Sequence, residues 1–161
     1  MNSDPIVIAG AARTPMGGLG GELGTVSAPE LGSVAIAEAI TRAKITGDDV
    51  DDVVMGVVLP AGQGQAPARQ ASIGAGIPAY TGATTINKMC GSGMKSIMFA
   101  CDNILAGSHN VMVAGGMESM TNAPYLLPNV RGGMRMGHGE VKDHMFIDGL
   151  EDAFEKGTLM G

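Results

Sequence analysis

At 161 residues the chain has the length of one ordinary domain, enough to bury a core without disulfides or a structural metal. A formal charge of −6, with no run of basic residues, argues against nucleic acid or an anionic membrane as the main partner, since both reward clustered Lys and Arg. Phe, Tyr and Trp together make up only 3%, against 26 Gly and 13 Met, so the core is aliphatic and closely packed, a composition that suits α/β folds.

In chain order, "PIVIAGAARTP" (residues 5–15) is a short apolar run ended by small residues and Pro15, the pattern of a buried parallel strand leading into a loop. A Gly-rich connection from Gly17 to Gly24 follows, and Ser27 with Glu30 forms an S-x-x-E capping box that opens a helix. Ala35, Ile36, Ala39, Ile40 and Ala43 share one face of that helix, and Gly47 is expected to end it. "VVMGVVLP", from Val53 to Pro60, reads as a second strand in which Gly56 marks a bulge or a close backbone approach. Pro67 opens a second helix reaching Gly74; "ATTINKM" reads as strand three, Cys90 to Leu105 as helix three, and "VMVAGG" as strand four. Strands alternating with helices predict a mainly parallel sheet covered on both faces, with right-handed crossovers. From Met120 to Gly139 the apolar rhythm fails, and residues 148–156 are expected to form a short helix.

No stretch approaches the roughly 20 apolar residues of a membrane span, and the N-terminus lacks the basic region of a signal sequence, so the expected setting is cytoplasmic with free thiols. Within one helix the two cysteines would lie roughly 16 Å apart, beyond disulfide reach. Met94, Ile97, Met98, Cys101, Ile104 and Leu105 fall on one arc of helix three, where Cys101 reads as a small apolar core residue. Cys90 differs, because a helix N-terminus offers unpaired N–H groups and the positive end of the dipole, both of which favour a thiolate. Gly91 and Gly93 remove side chains beside the sulfur, so a carbonyl can approach and its oxygen can reach backbone donors. The chemistry implied is acyl transfer through a thioester. On the residues alone, a buried structural cysteine at a tight turn stays equally open. A Walker A loop is absent, because Met94 separates Gly93 from Lys95, and Gly91-x-Gly93-x-x-Ser96 is only a partial dinucleotide fingerprint. No credible metal-ligand spacing occurs.

"AARTP" at 11–15, "NKMCGSGMKS" at 87–96 and "VAGGMESMTNAPYLLP" at 113–128 resemble the thiolases, and "MGHGEVKDHMFIDGLEDAF" is similar to that family's entry into its loop domain. The resemblance implies a thiolase-like three-layer α/β/α fold: residues 1–119 form an N-terminal core with an incomplete sheet, and residues 120–161 begin an inserted loop domain. It implies a Claisen-type acyltransferase of acyl-CoA substrates, most simply one that makes or cleaves acetoacetyl-CoA, with Cys90 as nucleophile. Asn87, Gly91, Ser92 and Gly93 would hold the turn and the oxyanion site, and Met160 would line the acyl pocket. No cofactor is implied, coenzyme A thioesters being substrates.

The resemblance reaches only the first half of a thiolase, whose catalytic G-H-P histidine and C-x-G cysteine lie in the second. The histidines here are His109, His138 and His144, and only a pairing of His144 with Cys90 is weighed as a general base. Leu159 stands where the family often has histidine. The chain alone is therefore expected to be inactive and to leave a sheet position unpaired. The partners implied are a complementary C-terminal half or further copies in a homo-oligomer, a dimer or tetramer. "YLLPNVRGGMRMG" resembles the tetramerisation loop, so the alternative function is a non-catalytic assembly module. A ketoacyl synthase is a third option, fitted less well by "VAGGMESM". Arg131, Arg135 and Lys142 read as solvated cations rather than a CoA phosphate site.

Overall fold

A computed structural model describes residues 5–160. The first helix, α1 (Ala28–Ala43), starts where the capping box places it: the Ser27 side chain accepts from the Glu30 N–H while the Glu30 carboxylate accepts from the Ser27 N–H at 2.8 Å. It ends earlier than the glycine signal suggests, because Lys44 adopts a left-handed conformation (φ 58°) and donates its N–H to the last carbonyls. Strand β1 (Asp52–Gly56) follows, then α2 (Pro67–Gly74), β2 (Gly82–Ile86), α3 (Ser92–Leu105) and β3 (Met112–Gly116).

The three strands are parallel in the order β2-β1-β3, with Val53 opposite Ala83 and Val113, and Gly56 opposite Ile86 and Gly116. The central strand β1 is buried on both faces, as a near-continuous apolar run requires. Val53, Met55 and Val57 join Ile36, Ile40, Ala68, Ala71 and Met117 in the core beneath α1 and α2. Gly56, of opposite parity, faces α3 instead, where an added Cβ would sit 2.5 Å from the Ser92 Cβ and 2.8 Å from the Gly93 nitrogen. Two helices on one face and one on the other give the three-layer α/β/α arrangement. Gly56 is thus a close-approach glycine, not a bulge, since the parallel register runs unbroken through it.

Three expectations are overturned. Residues 5–18 form no strand; Val7 and Ile8 are 72% and 82% exposed. This run has no ladder partner among the described residues and lies beside α1, with Arg42 donating to the Ala11 carbonyl at 2.9 Å. Helix α3 does not bury its apolar arc. It turns Ser92, Ser96 and Ala100 to the sheet and leaves Met94 and Leu105 more than 70% exposed. The reason is spacing: Gly93 meets Gly116 backbone to backbone, and the Ser96 hydroxyl donates to the Gly93 and Gly115 carbonyls, so only small side chains fit beneath the helix. Finally, residues 148–156 form no α-helix; a single π turn (Phe146–Leu150) is followed by a bridge between Glu151 and Leu159.

Residues 120–160 otherwise carry short 3₁₀ turns and one antiparallel pair, β4 (Tyr125–Leu126) with β5 (Lys142–Asp143). No helix among the described residues is long and apolar enough to cross a membrane.

Candidate active site

Parallel strands that end in register deliver their following loops to one edge of the sheet, the usual place for ligands in α/β folds. Here Gly56, Ile86 and Gly116 end together. The segments that emerge are Val57–Val58–Leu59, Asn87–Lys88–Met89–Cys90 and Met117–Glu118–Ser119.

The second of these is a tight turn fixed by its own side chains. Asn87 Oδ1 accepts the Met89 N–H at 2.8 Å. The buried Ser92 hydroxyl accepts the Lys88 N–H at 2.9 Å and donates to the Met89 carbonyl at 2.5 Å. Gly91 N–H donates to Lys88 O and Ser92 N–H to Met89 O. Met89 is thereby held at φ 49°, a left-handed conformation that costs a non-glycine residue about 1–3 kcal/mol. Both of its backbone polar groups are pinned, and Cys90 follows it directly. Local strain held by side-chain hydrogen bonds on either side is the pattern of a residue being presented rather than packed.

Cys90 is exposed, so the buried structural cysteine that its sequence position also allowed is not what the fold makes of it. Gly91 is the N-cap of α3 and supplies no side-chain cap, and Lys95 makes the first full helical bond back to Gly91. The first-turn N–H groups of Gly93 and Met94 therefore precede the helical ladder, free of any capping side chain. Cys101 lies partly buried eleven residues on, and both cysteines are free thiols.

Asn87, Gly91, Ser92 and Gly93 thus belong to the segment that carries Cys90, the turn and the first residues of α3. The Met160 N–H donates to Leu150 O at 2.8 Å, and no hydrogen bond among the described residues joins it to the turn. Nor does His144 pair with Cys90. Its ring is buried, Nε2 accepts the Ala61 N–H at 3.3 Å, and Nδ1 lies 2.6 Å from Asp148 Oδ2. Accepting at Nε2 places the proton of the neutral ring on Nδ1, facing the carboxylate, so both nitrogens are engaged. His109 sits 3.9 Å from Asp52, at the opposite end of the sheet from the turn. His138 lies exposed in the irregular segment.

Sequence reading missed Glu118. Half buried just beyond β3, its Oε2 accepts the Val58 N–H at 2.8 Å and its Oε1 the Leu59 N–H at 3.0 Å. The Val58 carbonyl in turn accepts from Asn87 Nδ2 at 3.2 Å. Its place in the sequence, two residues after the Gly115–Gly116 pair, gives no local sign of these partners.

Comparison with known proteins supplies the family. The model of the family "Thiolase, N-terminal domain" matches residues 6–161. The acetyl-CoA acetyltransferase of Cupriavidus necator is 50% identical over 151 residues, covering 94% of this chain and 38% of that protein. The mitochondrial acetyl-CoA acetyltransferase of Xenopus tropicalis is 53% identical over 151 residues, 94% of this chain and 36% of its own length. The cytosolic acetyl-CoA acetyltransferase of Gibberella zeae is 48% identical over 155 residues, 96% of this chain and 39% of its own. The chain thus spans well under half the length of these relatives. With a parallel α/β sheet carrying a strained cysteine turn at its carboxyl edge, the chain belongs to the thiolase family and corresponds to its N-terminal domain.

Proposed function

We propose that this chain supplies the nucleophile of a thiolase-type acyltransferase, working on CoA thioesters through an acyl-enzyme on Cys90. The reaction is the reversible Claisen condensation of acetyl-CoA to acetoacetyl-CoA, or thiolytic cleavage of a 3-ketoacyl-CoA. The observation that carries this reading is the exposed Cys90 in a pinned turn directly ahead of α3, in a chain of this family. In the first half-reaction the Cys90 thiolate attacks the thioester carbonyl. A C–S bond forms to Cys90, the C–S bond to CoA breaks, and CoA leaves as its thiolate. In synthesis, a second acetyl-CoA loses an α-proton to a base and its carbon attacks the acyl group. The C–C bond then forms as the Cys90 thiolate departs. In cleavage, the Cys90 thiolate instead attacks the 3-keto carbonyl of the 3-ketoacyl-CoA; the C2–C3 bond breaks as the acetyl-CoA enolate leaves and is protonated at its α-carbon, and CoA thiolate then takes the acyl group as the Cys90 thiolate departs. The donors supporting the oxyanion are backbone N–H groups at Cys90 and the start of α3, aided by the helix dipole.

His144 and His109 do not provide the base, since His144 is engaged at both nitrogens and His109 lies across the sheet; His138 lies exposed in the irregular segment and is assigned no role. A complementary C-terminal half bearing the G-H-P and C-x-G motifs is assigned that role, so residues 5–160 alone turn over no substrate. Met160 is assigned to the acyl pocket on family resemblance. A cytoplasmic setting is supported by the cytosolic relative of Gibberella zeae and opposed by the mitochondrial one of Xenopus tropicalis.

Incubation of the complete protein with acetyl-CoA, acid quench and peptide mass spectrometry checks the reading. Acetyl is expected on the Cys90 peptide and not on Cys101. A non-catalytic assembly role, as one half of a homo-oligomer or of a split enzyme, is favoured by a different observation: the exposed apolar arc of α3, with Tyr125 and Leu127 also exposed. Concentration-dependent assembly without any Cys90 acetylation is the result that selects it.

A further inference from the structure

We infer that Glu118 is a positioning residue for the Cys90 turn, an assignment that rests on the acyl-transfer reading above. The Glu118 carboxylate is held at the sheet edge because β3 continues past Gly116, with the Met117 N–H donating to Gly56 O at 3.0 Å. From there its two oxygens accept the successive N–H groups of Val58 and Leu59 at 2.8 and 3.0 Å. That clamp fixes the Val58 peptide, whose carbonyl takes Asn87 Nδ2 at 3.2 Å. Asn87 Oδ1 then takes the Met89 N–H at 2.8 Å, holding the left-handed residue next to Cys90. The chain of hydrogen bonds is continuous from carboxylate to Val58 peptide, Asn87 and Met89, the residue that precedes Cys90.

The chemistry of residue 118 is specific. A carboxylate accepts at both oxygens, and charge strengthens both bonds. Among the described residues no Lys, Arg or His forms an ion pair with Glu118, and its partners are the two backbone N–H groups. An isosteric amide would accept one N–H and turn its NH₂ against the other. The clamp would open on one side and the Asn87 link would loosen, with little change in side-chain volume.

The test uses the complete protein and iodoacetamide as probe, following alkylation of Cys90 and Cys101 separately by peptide mass spectrometry. Glu118→Gln is expected to slow Cys90 alkylation near neutral pH about tenfold or more, as the thiol loses its place at the helix N-terminus. Cys101, partly buried on the same helix, is expected to label at the wild-type rate. A merely structural role would instead raise labelling of Cys101. Should Glu118→Gln unfold, Asn87→Ala breaks the next link without touching the carboxylate, and must slow Cys90 with Cys101 unchanged. The double variant is expected to be no slower than the worse single one, since both act along one relay. Wild-type Cys90 labelling in Glu118→Gln, or joint acceleration of both cysteines in both single variants, overturns the assignment. If wild-type protein takes no acetyl from acetyl-CoA, acyl transfer itself fails; if it does and Glu118→Gln labels normally, only the role of Glu118 fails.

Discussion

Ser92 does two things at once, and its hydroxyl shows how little material builds the turn. It accepts the Lys88 N–H and donates to the Met89 carbonyl while filling the space that Gly56 leaves open. Alanine there would leave the Lys88 N–H without its partner and take one of two donors from the Met89 carbonyl, at a site where the residue itself is only 5% exposed. Ser92→Ala is expected to lower stability by about 1–3 kcal/mol in urea unfolding, and to slow acetylation of Cys90. Unchanged acetylation would show that Asn87 alone holds Met89. The neighbouring residues were legible in part. A cysteine between Asn87 and two glycines could be singled out because every feature of that turn is local. Glu118 could not, since its partners are 60 and 59 residues away in sequence. Nor could the engagement of His144, whose ring meets Ala61 83 residues earlier.

At the scale of elements, Gly56 against Ser92 and Gly93 decides how α3 sits. Gly56→Ala would drive a methyl into helix backbone, which cannot yield as a flexible side-chain tip would. The expected cost is about 1–3 kcal/mol of stability, together with reduced Cys90 acetylation, because the helix N-terminus must move; a thermal melt and the acetylation assay read the two effects separately. Helix α2 was readable to the residue from Pro67 and Gly74, and α1 from its capping box, because those signals are local. The face of α3 was not. A wheel ranks side chains by apolarity, whereas the sheet selects them by size at a glycine-to-glycine contact. The 5–15 run failed for a related reason: apolarity marks a chain that can be a strand, but a strand exists only with a partner. Carboxylates secure several of these joints. The Glu30 carboxyl is held below its ordinary 4.5 chiefly by the Ser27 hydroxyl, and that of Asp51 below 3.8 chiefly by the Val111 N–H, then by that of Asn110. Their folded-state values are depressed, so their contribution is present above the ordinary carboxylate range and is lost as pH falls through the lower folded values. Urea midpoints are expected to fall progressively as the pH drops below about 5, and Asp51→Asn to shrink that drop. An equal drop in the variant would remove Asp51 from the acid response.

Across the whole molecule, the apolar surface is distributed in a way that a self-sufficient domain avoids. The central strand is fully covered, yet Met94, Ile97, Met98 and Leu105 line an open face of the helix that begins beside Cys90. An open apolar face of this kind is a surface for a second chain or half to cover under either reading proposed above. Met98→Glu is accordingly expected to weaken assembly of the complete protein, read by sedimentation, without unfolding the three-layer core. Intact assembly would place the contact elsewhere. The central claim, however, concerns the sulfur, and turnover of acetoacetyl-CoA with CoA by the complete protein carrying Cys90→Ala tests it most directly. Loss of activity by about a thousandfold or more is the expected result; turnover at the wild-type rate would contradict the account.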